Sequence, residues 1–553
     1  MRLIQRINRL KSSKKVVTMK QTQALNVAAL ILAVLGNLIP STAHAACQVL
    51  KSQSSRAATT RDPIGLLLSS AAKCPTDVFQ FRSLLKQRGM KLETALVANR
   101  GFHNPSQGSF SMFEMVTAPE STGILVDAGD FFFGHFTAVS ATNELAPDQN
   151  AQKGSLMIEA IAWDTTKGFY NFYELIGNGS QGRWFYRGDS ADILADNQFL
   201  HRQADSKKPV FGNSMRCSAC HTGGGPIMKE LSAPHNDWWD SARNLDLGGR
   251  KPNSRLAGIL ATLVPADRLA KSVVTGLKKL ESSGPYKQIK SSLTLQEQLR
   301  PLFCAVEVNF KSDLTSNSEN QAEVRVPAEF FVDSRLISPA VKEVVQFGLP
   351  IHREDYTQAL KKLGSRFPET NRIDGDHAWL TVVKAKSDKV VVDALIAKGI
   401  IDEEFAADVL AVDFTNPVFS APRCSLLRLV PTNSTPDWKS VFIERLSQSH
   451  ASAAHELLQN LTESSRNLAF YQTQVGDYLK HCSSKLKAVD NVLKLTQLLD
   501  QRRNEIRASE ISKNPRGQIL EPGFRVIFPE FNKPVSPGQL ELSKSCDIEE
   551  STG

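Results

Sequence analysis

The sequence predicts an α+β protein: an antiparallel β-rich N-terminal region, a helical segment around residues 206–250, and a mainly helical C-terminal domain. Three observations predict it. Between residues 106 and 190, short runs rich in aromatic and β-branched residues alternate with turn signals. Beyond residue 250, apolar residues return every three or four positions, as on helices with one buried stripe. The chain of 553 residues, 41% hydrophobic, is too long for one domain of usual size and apolar enough to build a core.

The amino end reads as an export signal. Residues 1–20 carry seven Lys or Arg and no acid, an apolar run extends from Ala24 to Pro40, and Ala43-His44-Ala45 gives the small-x-small pattern of a signal peptidase site. Residues 1–45 are therefore expected to be a signal peptide and the mature chain to be periplasmic or otherwise exported, in a bacterium. The apolar run is short for a bilayer span and is broken by Asn37 and Pro40, so no stable membrane span is expected after cleavage. The leader also accounts for the charge. The whole chain has 66 basic and 57 acidic residues, a net of +9; without the seven basic residues of the leader it has 59 against 57, a net of +2. The basic balance is thus no argument for a nucleic-acid partner.

Residues 46–105 form a helical N-terminal segment in this reading, with a helix from about Asp77 to Arg100 carrying Phe79, Leu84, Leu85 and Leu92. Residues 106–205 form a β-rich domain with strands over 110–116, 123–128, 131–139, 156–163, 169–176 and 183–187. Residues 164–168 suit a hairpin loop, and Asn178-Gly179 is a strong tight-turn signal. Phe169, Tyr170, Phe172, Tyr173, Trp184, Phe185 and Tyr186 crowd two adjacent strands. They suit core packing, or one face of them suits the wall of a large flat apolar group.

Residues 251–553 form the mainly helical domain. Ser254 is a candidate cap for a helix with Leu256, Ile259 and Leu263 on one face, and a second helix runs from Pro265 to about Leu280. Between Ser464 and Arg503, Val475, Leu479, Cys482, Leu486, Val489 and Leu493 mark one buried stripe. The tail from Asn514 to Gly538 is rich in Pro and Gly and reads as irregular chain. Asp374-Gly375-Asp376-His377 lacks the spacing of a metal loop and reads as a turn.

All eight cysteines lie beyond Ala45. Six of them suit up to three disulfides in an exported chain, and nearness along the chain favours Cys47 with Cys74 and Cys482 with Cys546. The other two stand in Met215-Arg216-Cys217-Ser218-Ala219-Cys220-His221, within the segment 206–250. CxxCH is the attachment signature of c-type haem, and its chance occurrence in a chain of this composition is about 0.002. Two thiols three positions apart on a helical turn can each add to one porphyrin vinyl group, and the next residue presents its imidazole to the iron. A redox dithiol would want a βαβ setting and a structural zinc site a second Cys or His pair, and the sequence offers neither. The expected cofactor is one covalent haem c on Cys217 and Cys220, with His221 as the proximal iron ligand.

The stretch His221 to Leu231, HTGGGPIMKEL, resembles the start of a class I cytochrome c; the resemblance covers only residues 215–231. It implies that the Pro226 carbonyl accepts the proximal imidazole N–H and that the glycines let backbone approach the porphyrin edge. It also implies a downstream methionine as the second axial ligand, yet no methionine follows Met228. Met228, seven residues beyond His221, and His235, fourteen beyond, are the candidate distal ligands, with an open five-coordinate iron as the third alternative. Met112, Met115, Met157, His135 and His201 precede the motif and would have to fold over the distal face to serve. The function expected is electron transfer through one haem, with a redox partner protein. The alternative is a haem enzyme of peroxidase or oxygenase type, for which His235, Asp237 and Arg187 are the polar candidates on the distal side. A haem-bearing sensor is a third class. The sequence leaves open whether the protein is an enzyme.

Overall fold

The computed structural model describes residues 47–51, 60–99, 110–139, 144–147, 153, 156–194, 221, 223–226, 238–241, 245, 247, 250–305, 308–311, 322–341, 348–366, 381–513, 530–531 and 540–550. It is an α+β protein. The leader 1–45, the cysteines Cys217 and Cys220, the candidates Met228, His235, Asp237 and His201, and the turn 374–377 lie outside the described residues.

The N-terminal half is built on one sheet. Its strands are β1 Lys91–Asn99, β2 Phe110–Ala118, β3 Val126–Val139, β4 Leu145–Pro147, β5 Leu156–Asp164, β6 Phe169–Gly177, β7 Gly182–Asp189 and β8 Leu263–Val264. They lie in the order β7-β6-β5-β3-β2-β1-β8, with β4 paired to one end of β3. The pairs from β1 to β7 are antiparallel, whereas β8 joins β1 in parallel. The runs 123–128 and 131–139, expected as two strands, are one long strand, β3, from Val126 onwards.

Helices α1 (Pro63–Ser69) and α2 (Val78–Gln87) cover one face of this sheet. Asp77 caps α2 by accepting from the Gln80 N–H. The expected helix over 77–100 stops at Gln87, because Gly89 takes a positive φ of 75° and turns the chain into β1. Residues 91–99 are therefore strand, which corrects the helical reading of that part of 46–105.

Helix α3 (Ser254–Leu260) lies beside α2 on that same face of the sheet, with Leu256, Ile259 and Leu260 against Leu96 and Met112, and the other face is covered by α4 (Ala266–Ser282) and α5 (Gly284–Ser291). In α4, Leu269, Val273, Leu277 and Leu280 are buried on a single stripe against Phe132, Trp163 and Tyr170 of the sheet. Asn253, not Ser254, caps α3 by accepting from the Leu256 N–H, and Leu263 belongs to β8. These helices, grouped by sequence with the C-terminal domain, belong to the sheet's core; the second core begins at Leu295.

That second core is helical. It comprises α6 (Leu295–Phe303), α7 (Arg353–Leu363), α8 (Lys386–Ala397), α9 (Glu403–Ala411), α10 (Ala421–Ser425), α11 (Trp438–Ser447), α12 (Ser452–Thr462), α13 (Leu468–Lys485) and α14 (Val489–Lys513), with short two-stranded pieces. Helix α8 joins the cores, with Val390 in the sheet cluster and Val392 and Leu395 in the helical one. The stripe expected over 464–503 is divided between α13 and α14. Val475, Leu479, Cys482 and Leu486 are buried as expected, but past the break the buried positions are Val492, Leu495, Leu498 and Leu499. Asn491 donates to the Lys485 carbonyl at 2.9 Å and so closes the end of α13.

Disulfides join Cys47 to Cys74, Cys304 to Cys424, and Cys482 to Cys546. The last ties α13 to the closing hairpin of Leu540–Leu542 and Ile548–Glu550. Among the described residues, no helix is long and apolar enough to cross a membrane.

Candidate functional site: the loop around His221

Strand alternation sorts the aromatic crowd. Successive side chains of a strand point to opposite faces. Tyr170 and Phe172 of β6 therefore join the cluster under α4 and α5, while Tyr173 of β6 and Trp184 of β7 join the cluster under α1 and α2. The seven aromatic residues are not one wall. Trp184 donates its indole N–H to the Pro75 carbonyl at 2.8 Å, and Tyr173 donates to Asp62 at 2.5 Å. Both are core residues of the face away from His221.

His221 lies on the α4–α5 side. Its imidazole meets the Phe172 ring edge to face, with centroids 5.1 Å apart. Nδ1 is 2.7 Å from the Gly225 carbonyl oxygen. A carbonyl only accepts, so Nδ1 is the nitrogen that donates its N–H here. The acceptor is Gly225, one residue before the Pro226 carbonyl that the resemblance implied.

The loop that presents this carbonyl is held through several of its described peptide groups. The Gly224 N–H closes a turn on the His221 carbonyl at 2.7 Å. Tyr286 of α5 donates its hydroxyl to the Gly223 carbonyl at 2.7 Å. Ser190, just beyond β7, donates to the Gly224 carbonyl at 2.7 Å and accepts the Tyr170 N–H at 2.9 Å. Burial, with the charge of Glu281 added, pushes the Tyr286 phenol well above its ordinary pKa, so it stays a donor. Gly224 has φ +71°, a conformation that L side chains rarely adopt. Gly225 sits so close to α4 that a Cβ there would come 2.6 Å from the Leu277 side chain.

Of the other residues considered as iron ligands, the structure places three away from His221. His135 is fully buried on the α1–α2 side, where Nε2 lies 2.9 Å from the Glu114 carboxylate. Arg82 of α2 pairs with the same carboxylate, and Thr94 donates to it at 2.8 Å. Burial, reinforced by the Arg82 charge, holds the His135 pKa well below its usual value, so the ring is neutral. Met112 packs with Leu96, Leu256 and Ile259, and Met157 belongs to the α1–α2 cluster. Met115 is a core residue of the α4–α5 cluster. Arg187, a candidate distal donor, gives its Nε–H to Glu174 at 2.7 Å and lies over the Phe185 ring.

The residues present fit an axially bound haem on the proximal side. An imidazole that donates Nδ1–H to a backbone carbonyl and sets its ring against an aromatic wall would, as the neutral tautomer, present Nε2 to an iron. Sequence reasoning singled out His221 and the glycines. It missed Ser190 and Tyr286, for which no local motif speaks: they reach the loop from 31 residues before and 65 residues after His221. No family model, curated protein or solved structure matches this chain.

Proposed function

We propose that the protein is an exported c-type haem protein that transfers electrons through a single haem, bound covalently by Cys217 and Cys220 with His221 as the proximal ligand to iron. The observation that carries the reading is the His221 imidazole, whose Nδ1–H is committed to the Gly225 carbonyl next to Phe172. The CxxCH spacing and the export signal support it independently. When bound, the group supplies a one-electron ferric–ferrous couple. The chain's own part is to hold the ligand and tune it. The Gly225 carbonyl draws on the Nδ1 proton and makes the imidazole a stronger donor. Phe172, itself buried in the α4–α5 cluster, packs against one side of the ring. The second axial ligand, Met228 or His235 in this reading, remains part of the proposal, as does the redox partner.

The test is expression with its export signal in a host that matures c-type cytochromes. A pyridine haemochrome spectrum and intact mass should give one haem per chain, lost in the Cys217→Ser/Cys220→Ser variant. A low-spin spectrum that carbon monoxide does not change supports electron transfer. Rapid binding of carbon monoxide or peroxide moves the assignment to a haem enzyme. Protein without Soret absorbance, or pigment extracted by acidic acetone, refutes the covalent haem.

A further inference from the structure

We infer that Tyr286 and Ser190 are positioning residues that set the reduction potential of the iron by fixing the Gly223–Gly225 turn. The inference rests on His221 being the iron ligand as proposed above. Three consecutive carbonyls of the turn are each taken by a different donor: Gly223 by the Tyr286 hydroxyl, Gly224 by the Ser190 hydroxyl, and Gly225 by His221 Nδ1, each at 2.7 Å. The first two donors are rigidly mounted. Tyr286 is 2% exposed within the α4–α5 cluster, and Ser190 is fully buried and tied to β6 through the Tyr170 N–H.

A run of three glycines is the most freely rotating backbone available. Nothing in its own chemistry keeps the third carbonyl aimed at an imidazole. Because each peptide unit is planar, gripping the Gly223 and Gly224 oxygens fixes the two planes that precede Gly225. The grip therefore preserves the Nδ1–H···O bond. That bond raises the basicity of the imidazole and favours ferric over ferrous iron. Loosening it shifts the couple towards the ferrous form and raises the potential.

The experiment compares Tyr286→Phe, Ser190→Ala and the double variant, matured in full length, by redox titration and by the visible spectrum. Tyr170→Phe is the control. It removes a hydroxyl from the same cluster, one whose hydrogen bond goes to the Gly129 carbonyl at 2.5 Å rather than to a carbonyl of the turn, and it keeps the Tyr170 backbone N–H that Ser190 accepts. The positioning variants are expected to favour ferrous iron by roughly three- to tenfold, where tenfold is ~59 mV for a one-electron couple. Tyr170→Phe is expected to lose stability and keep the wild-type potential. Where Tyr286→Phe does not mature, Ser190→Ala carries the same test. Variants that keep their haem with potentials no different from Tyr170→Phe overturn the inference and leave the haem reading standing. Wild-type protein without covalent haem overturns both, and that result is read before any substitution is made.

Discussion

Replacing Gly224 with alanine strains the turn where it is tightest. The residue has φ +71°, and a Cβ built there would lie 2.8 Å from the Ser190 carbonyl oxygen and 3.0 Å from the Ser190 Cα. Two costs follow. Holding an L residue in the left-handed region costs ~1–2 kcal/mol. Overpacking against a buried neighbour costs ~1–3 kcal/mol, at the upper end here because the neighbour is main chain at a strand end and cannot swing aside. The sum is ~2–5 kcal/mol, a large part of the stability of an ordinary domain. Gly179→Ala separates the two terms: its φ is +109°, but nothing lies within 4 Å of the added Cβ, so it carries backbone strain alone. Hydrogen exchange of the β6–β7 hairpin and of α5, with the urea midpoint alongside, reads the difference. Gly224→Ala should lose protection in both segments and unfold earlier than Gly179→Ala. If the two variants are equally stable, the close approach of the turn to Ser190 is not there, and the positioning argument goes with it.

Three further outcomes are expected. Glu114→Gln strips the carboxylate from between Arg82 and His135 and leaves a buried guanidinium, whose pKa burial already lowers to about 10, without its counter-charge; the thermal midpoint should fall by the equivalent of ~3–5 kcal/mol, and a loss below ~1 kcal/mol would contradict a buried pair. Replacing Cys304 and Cys424 together by serine opens a link across 120 residues and should cost ~2–5 kcal/mol in denaturant unfolding of the helical core, with little effect on hydrogen exchange in the sheet. Burial holds the Asp408 carboxyl up at about 7, against the donated Tyr471 hydroxyl that lowers it. A carboxyl raised on folding contributes stability that is full below the unfolded value near 4 and is lost as pH rises through about 7. Asp408→Asn should therefore raise the melting temperature at pH 8 and give no gain at pH 4; equal gains at both would remove the titration from the account.

How much of this was legible depended on whether one face of an element meets water. Strands β2, β3, β5, β6 and β7 stand within a few residues of their expected places because turn residues punctuate them, although β3 was expected as two strands and the short β4 was not expected. Strand β1 was hidden. Leu92, Thr94 and Leu96 alternate with Glu93, Ala95 and Val97, but helices lie on both faces, so Thr94 to Val97 are all buried and no polar period marks them. Helices α13 and α14 read as one because no Gly or Pro stands at the break, where the chain runs Leu486-Lys487-Ala488; the break is closed by an asparagine side chain instead. The CxxCH string and His221 are legible because the thioether attachment proposed for them would fix their spacing. The acceptor at Gly225, and the grip of Ser190 and Tyr286, are tertiary facts. They depend on α5 lying on the sheet, which its amphipathic pattern alone does not say. The division of Tyr170 and Phe172 from Tyr173 was available in principle, since a strand's alternation assigns it once the hairpin is placed.

The three disulfides have a topological consequence for how such a chain is made. They close rings over residues 47–74, 304–424 and 482–546, and none of these rings contains Cys217 or Cys220. The pair of thiols sits on the long open stretch between the first ring and the second. Oxidation of the other six cysteines to these pairs can run to completion, in any order, without enclosing Cys217 and Cys220 in a covalent loop. If haem is attached at these two thiols as proposed, none of the three disulfides closes a covalent ring around the point of attachment.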